Sequence, residues 1–214
     1  RGCPCVFGHF ATNVDMKTGS PAFGTPEYTK TTLASAQMAR FYGVPFRSSN
    51  TTASAVADAQ SAYESEMSIW GTVMGHTNLV LHAAGWLEGG LTASFEKLIL
   101  DAEMLQLIAS VLEPIEVNES TLAFEAVKEV GPGGHFFGAA DTLERYETAF
   151  YAPLVSDWRN FETWEEDGSK TATERANGIW KQLLADYEKP PIDQAIEEEL
   201  QAYMAKRKED ISGA

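Results

Sequence analysis

The stretch "NLVLHAAGWLEGG" (residues 78–90) decides how this chain is read. Its first half is short and apolar, and its second half gathers a histidine, a tryptophan and a glutamate among small residues and glycines. A short apolar run bounded by glycines reads as a buried strand. His82, Trp86 and Glu88 would then stand where the chain leaves the end of that strand. Two upstream stretches have the same form, "CPCVFGHF" (3–10) and "VPFRSS" (44–49).

Helix-like segments separate these strands. In "TPEYTKTTLASAQMARFYG" (25–43), Thr25 is a candidate N-cap, Pro26 takes the first helical position, Glu27 lies in the first turn and Gly43 stands past the end. "TTASAVADAQSAYESEMSIWGTVM" (51–74) reads as one long helix with apolar positions at Ala55, Ala59, Ala62, Tyr63, Met67, Ile69 and Trp70. "SFEKLILDAEMLQLIASVL" (94–112) opens on Ser94 as cap and keeps a strong helical period. Strands therefore recur about every 35 residues with a helix between them, the mark of βα units feeding a parallel sheet. They lack clean polar alternation, as expected of strands covered on both faces.

After residue 112 the pattern turns helical, with candidate helices at 120–130, 141–150, 171–188 and 193–210. A complete (β/α)8 barrel takes about 250 residues, and the strands here are too few to close one. The expected fold is therefore α/β: the C-terminal part of a TIM (β/α)8 barrel with a helical C-terminal extension. Residues 1–138 would hold the βα units and a closing loop, and 139–214 the extension. The chain opens at Arg1 on residues that read as a strand, which suggests a cut inside a larger fold.

Composition narrows the function. The 214 residues are 44% hydrophobic, enough for one full core. A net charge of -15 and a pI near 4.6 disfavour nucleic acid and anionic membranes, both of which call for clustered Lys and Arg. No apolar run approaches the ~20 residues of a spanning helix and no leader opens the chain, so a cytoplasmic protein is expected. Cys3 and Cys5, one residue apart, fit a reducing compartment.

In a barrel the site lies at the C-terminal ends of the strands. The candidates there are Phe7, His9 and Phe10 after the first strand, with Asn13 and Asp15 beyond; Arg47, Ser48 and Ser49 after the second; and His82, Trp86 and Glu88 after the third. They would face one shared pocket. Each also has a plainer reading: aromatic rings dominate ordinary cores, Arg47 suits a structural ion pair, and Glu88 suits a bond within its own loop. Cys3, Cys5, Phe7 and His9 share one strand face, which invites a zinc site. The spacing spreads those ligands over ~20 Å of strand, too far for one ion, so no metal is expected. "GPGGHFFG" (131–138) has glycines able to approach an anion but matches neither a P-loop nor a dinucleotide fingerprint.

The blocks "NVDMKTGSPAFGTPE", "DAQSAYE", "HAAGWLEGGLTASFEKLILDAE" and "EVGPGGHFFGAADTLERYETAFYAPLVSDWRNFETW" carry a family resemblance. Together they resemble the C-terminal half of the trimethylamine methyltransferase family, which includes pyrrolysine-containing trimethylamine:corrinoid methyltransferases and non-pyrrolysine relatives such as glycine betaine:corrinoid methyltransferases. The resemblance implies a TIM-barrel enzyme that moves a methyl group from a methylated amine to cob(I)alamin, a corrinoid carried by a separate small corrinoid-binding protein. It implies no tightly bound cofactor in this chain, a small-molecule methylated amine as substrate and a homo-oligomer. It also makes 131–138 a hallmark block near the barrel's top, open either to corrinoid approach or to plain loop geometry.

These 214 residues contain no pyrrolysine, and a quaternary amine already carries the positive nitrogen that makes a good leaving group. A betaine-like donor is therefore expected. His82 and Glu88 are the expected catalytic residues, and Phe7, His9, Phe10, Arg47, Trp86, His135 and Phe136 the expected substrate-binding ones. Aromatic faces hold quaternary ammonium ions, and Arg47 or His82 would donate to a substrate carboxylate. A paralogue that has lost the chemistry and only binds a quaternary amine or a partner protein remains the other reading.

Overall fold

A computed structural model describes residues 2–213 of the chain. Three parallel strands, β1 (Phe7–Gly8), β2 (Phe46–Ser49) and β3 (Leu79–Leu81), lie side by side in that order. The helices α1 (Pro26–Tyr42) and α2 (Ala59–Met74) make the crossovers, and α3 (Phe95–Leu112) follows. Phe7 pairs with Phe46 and Gly8 with Arg47, while Arg47, Ser48 and Ser49 pair with Leu79, Val80 and Leu81. Among the described residues the sheet stays open, so the alternating βα units of the α/β reading are present without a barrel's closure.

Local chemistry explains the boundaries. The Thr25 hydroxyl accepts the Tyr28 N–H, and Gly43 ends α1 at φ 65, a left-handed conformation that glycine adopts without a Cβ clash. Helix α2 begins at Ala59 and not near residue 51, because Asp58 caps it and shares a capping box with Ser61. Residues 51–58 form a loop instead, and its Ala53 and Ser54 N–H groups go to the Glu64 carboxylate at 2.9 and 3.0 Å. The third strand stops at Leu81, since His82 takes φ 52. A hairpin that the sequence did not suggest follows, with β4 (Trp86–Leu87) antiparallel to β5 (Thr92–Ala93) across a tight turn at Glu88–Gly90.

Several of the later helices differ from the expected spans. The segment 120–130 divides into α4 (Glu119–Leu122) and α5 (Phe124–Val130) because Ala123 turns left-handed at φ 48. Helix α6 (Ala140–Arg145) covers half of 141–150, and α7 (Phe161–Glu166) was not anticipated. Helices α8 (Ala172–Ala185) and α9 (Gln194–Ser212) lie close to the expected spans. The chain's contacts group the described residues up to Trp180 into one unit and those from Lys181 onward into another.

Two small cores hold the first unit. Phe46, only 2% exposed, packs with Ala36 and Ala39 of α1, and Phe7 and Val44 lean on them. Burying that one ring contributes roughly 1.5–3 kcal/mol. In the second core Ile99 meets Val155 and Ala176. Carboxylates of α3 fasten the segments around it. Glu103 accepts from the N–H groups of Leu154, Val155 and Ser156 and from the Ser156 hydroxyl. Glu96 accepts from Asn177 at 2.7 Å and from the Trp180 indole at 2.8 Å.

Those two bonds hold the Glu96 carboxyl down at about 2, against an ordinary value of 4.5. A carboxyl depressed in the folded state contributes stability above its unfolded value and loses it as pH falls toward the folded one. Acid titrations of stability should therefore show Glu96→Gln less stable than the parent at neutral pH, with the gap closing between pH 4.5 and about 2. A gap that stayed constant over that window would show that Glu96 is not the group responsible.

Candidate functional site at the strand ends

Strand alternation sorts the residues of β2 onto two faces. Phe46 and Ser48 face α1, where Ser48 Oγ lies 3.5 Å from Thr32 Oγ1. Arg47 and Ser49 take the other face. There Ser49 Oγ stands 3.0 Å from His82 Nδ1 and 3.2 Å from Thr51 Oγ1, so a hydroxyl pair holds the imidazole. His82 lies against Phe10, ring centroids 5.4 Å apart, and meets Trp86 edge-on at 5.3 Å and 89°. Phe10 in turn packs on Phe23 at 4.6 Å. The result is one continuous line of rings, Trp86–His82–Phe10–Phe23, which runs on through Tyr28 to His9 at centroid distances of 5.7 and 5.4 Å. Phe23 is buried, Phe10 is 41% exposed, and His82 and Trp86 are half-buried.

Arg47 points along β1, its Nη1 3.4 Å from the His9 carbonyl. Among the described residues no carboxylate forms an ion pair with it. Phe7 and His9 sit on the α1 side of β1. Phe7 packs on Phe46, and His9 is buried with Ser35 Oγ 3.2 Å from Nδ1 and Thr31 Oγ1 3.4 Å from Nε2. Burial pushes the His9 imidazole below its ordinary value, and the positive Arg47 adds to that against a hydrogen bond to the Tyr28 backbone. Both ring nitrogens of His9 are thus engaged by α1.

Glu88 is exposed at the hairpin tip, at φ 51, with its carboxylate accepting from the Thr92 hydroxyl. His135 contacts Phe137, centroids 5.6 Å apart, in the 131–138 loop, where Phe136 and Phe137 are exposed at 45% and 83%. So the structure brings together Phe10, His82 and Trp86, sets Arg47 on the same side of the sheet, joins His9 to the far end of the ring line through Tyr28, and leaves Phe7, Glu88, His135 and Phe136 outside it.

The sequence reading missed the polar shell beneath the rings. Asn50, Thr51 and Thr52 are fully buried. Asn50 Nδ2 donates to the Ala83 carbonyl at 2.8 Å and Thr52 Oγ1 to the Trp86 carbonyl at 2.9 Å. Tyr28 reaches across from α1 to give its O–H to the Ser49 carbonyl at 3.0 Å. The run "SSNTTAS" (48–54) was a usable signal, since so many short polar residues directly after a strand favour turns over helix. Among the described residues, no group of three His, Cys, Asp or Glu side chains gathers to hold a metal ion, and Cys3 and Cys5 are exposed. Nor is any described helix long and apolar enough to cross a membrane.

The family model for trimethylamine methyltransferase (MTTB) matches residues 1–212. The chain belongs to the trimethylamine methyltransferase family. It is 37% identical over 211 residues to the glycine betaine methyltransferase of Desulfitobacterium hafniense, covering 98% of this chain and 44% of that protein. It is 31% identical over 208 residues to trimethylamine methyltransferase MttB2 of Methanosarcina mazei, covering 96% of this chain and 41% of that protein. The chain thus spans about two-fifths of the length of these family members.

Ser49 gives the site a first test. With Ser49→Ala, His82 loses its Nδ1 partner, and stability should fall by about 0.5–1.5 kcal/mol. The side-chain nitrogen shifts of His82 should move from one tautomer toward a mixture of two. Unchanged nitrogen shifts would show that Ser49 does not orient the ring.

Proposed function

We propose that this chain is the C-terminal part of a TIM-barrel methyltransferase that takes a methyl group from a quaternary amine of the glycine betaine type and passes it to a corrinoid carried by a small partner protein. The observation that carries the reading is the ring line Phe10–His82–Trp86 at the ends of parallel strands, next to an arginine without an ion-pair partner among the described residues. Family membership and 37% identity to a glycine betaine methyltransferase support the same choice.

The chemistry divides between two ends of the substrate. A quaternary ammonium has no N–H to donate, so it is held by aromatic faces, at roughly 0.5–2 kcal/mol each depending on desolvation. Phe10 and Trp86 are the rings placed for it. A carboxylate at the other end suits the Arg47 fork, which can donate two parallel hydrogen bonds. If Ser49 gives its hydroxyl hydrogen to His82 Nδ1, the ring keeps its own hydrogen on Nε2 and offers it to the same carboxylate.

The corrinoid supplies, when bound, a strongly nucleophilic metal that accepts the methyl group. A methyl group taken by that metal would leave the C–N electron pair on nitrogen, so the remainder of the substrate would depart as a neutral tertiary amine. No proton moves in that displacement, so the chain needs no general base, and Glu88 serves the hairpin through Thr92. The half-exposed rings and the 131–138 loop fit the approach of a flat macrocycle. Phe137 stands out from that loop, and open space surrounds Gly131, Gly133 and Gly138.

In the complete protein, His82→Ala should lower the methyl-transfer rate far more than it lowers the unfolding temperature. Lost stability with unchanged turnover per folded molecule would make His82 a packing residue. Mixed with the reduced corrinoid partner and followed by the corrinoid's visible spectrum, glycine betaine or a close quaternary analogue should react, while trimethylamine should not. Trimethylamine turning over as fast as every quaternary amine tested would overturn the substrate assignment.

A further inference from the structure

The loop that carries His82 and Trp86 is tied down from three directions. Asn50 holds the Ala83 carbonyl, Thr52 holds the Trp86 carbonyl, and between them the Gly85 N–H donates to Asp101 Oδ2 at 2.9 Å. Asp101 belongs to the helical layer. Its other oxygen accepts from Lys97 one turn earlier in α3, and Lys97 Nζ also donates to Ser65 of α2 at 2.7 Å. The side chains of Lys97 and Asp101 are 1% and 4% exposed.

We propose that Asp101, clamped by Lys97 and Ser65, is a positioning residue that acts through the Gly85 amide to set Trp86 and His82. Stability alone does not account for such a pair, because a buried ion pair rarely outperforms well-packed apolar side chains of the same volume. What a charged acceptor adds is a shorter, stronger and more directional hydrogen bond. Gly85 is placed to transmit it. Its carbonyl accepts from Ser94 N at 2.9 Å, its φ is +86, and a Cβ there would come 3.3 Å from the Leu98 Cβ. Pinned at both amide and carbonyl, Gly85 leaves the following residue, Trp86, little freedom.

The inference rests on the proposed function only for its effect on turnover, and the test separates the two. Two charge-free double variants of the complete protein are compared. K97M/D101N keeps an acceptor for the Gly85 amide, and K97M/D101L fills the same space without one. Each is labelled with 5-fluorotryptophan, and the Trp86 fluorine signal is assigned with Trp86→Phe. The other tryptophans of this chain report general damage to the fold.

The Trp86 signal should shift and broaden in K97M/D101L relative to K97M/D101N while the other signals agree. Turnover should fall by about 100-fold between the two, more in kcat than in KM, as expected for a misplaced reacting group. Trp86 signals that coincide in the two variants overturn the inference whatever turnover does. A displaced Trp86 with equal turnover upholds the positioning and counts instead against the ring line as the methyl-transfer site. Should K97M/D101L not fold, K97M/D101A removes the acceptor without filling the space, and the same comparison decides.

Discussion

Residues 48–54 form an almost wholly polar run that begins in the last two residues of β2, and Ser48, Ser49, Asn50, Thr51 and Thr52 are completely buried. Polar groups buried without partners cost several kcal/mol, so their neighbours are constrained by the need to satisfy them. The partners come from every surrounding element. Tyr28 of α1 bonds the Ser49 carbonyl, Glu64 of α2 takes the Ala53 and Ser54 amides, and His82 takes the Ser49 hydroxyl. Thr52 and Asn50 bind the hairpin and the end of β3 in return. Shifting any one of these elements would strand several buried groups at once. That fixes the strand ends more tightly than the short strands could by ladder bonds alone. Asn50 Oδ1 is the exception, buried without a partner in the structure, and nothing here gives a physical account of it.

The helical layer follows a second rule, in which buried or half-buried charges replace apolar packing. Burial drives the Asp101 carboxyl up and the Lys97 ammonium down, and each opposes the other's shift. Burial also works against the Glu103 carboxylate, but hydrogen bonds from Ser156 and from the Leu154, Ser156 and Val155 amides outweigh it and leave the group below its ordinary value. These groups hold backbone: Asp101 takes the Gly85 amide, and Glu103 the amides of 154–156. The layer thereby connects loops that lie far apart in sequence without needing large side chains between them.

Periodicity made the βα alternation legible, because short apolar strands and capped helices carry local signals. The Thr25 cap with Pro26 and Gly43 placed α1 within a residue or two. The start of α2 at Ala59 is signalled by Asp58, Ser61 and the short polar run before them, but alanine-rich 51–58 also suits a helix and masks that signal. The break at Ala123 and the hairpin at 86–93 carry almost no local signature. In the candidate site, His82, Trp86, Phe10 and Arg47 were readable as residues at strand ends. Phe7 and His9 were grouped with them because a strand's period of two tells which residues share a face but not which face meets the helices. Lys97 and Asp101 were invisible, since an i,i+4 pair on a helix reads as a solvated surface pair unless its burial is known.

The division of β2 into two faces also explains why one face of this small sheet packs on a helix while the other meets His82. Phe46 and Ser48 turn toward α1, where Ala36 and Ala39 admit close packing, so the bulky and the polar members of that face are both consumed by the helix. Arg47 and Ser49 turn the other way, although Tyr28 of α1 still reaches Ser49. Ser49 finds His82, and among the described residues Arg47 reaches only a carbonyl oxygen at 3.4 Å, a weak use of a guanidinium with five donors. Arg47 is half-buried, so water still reaches its guanidinium, and an anion on that face would add two parallel hydrogen bonds to the fork. The rings on the same side of the sheet, Phe10 and Trp86, can bind a cation by their faces. A small molecule that carries both charges a few atoms apart would satisfy both halves at once, which neither a simple amine nor a simple acid can do.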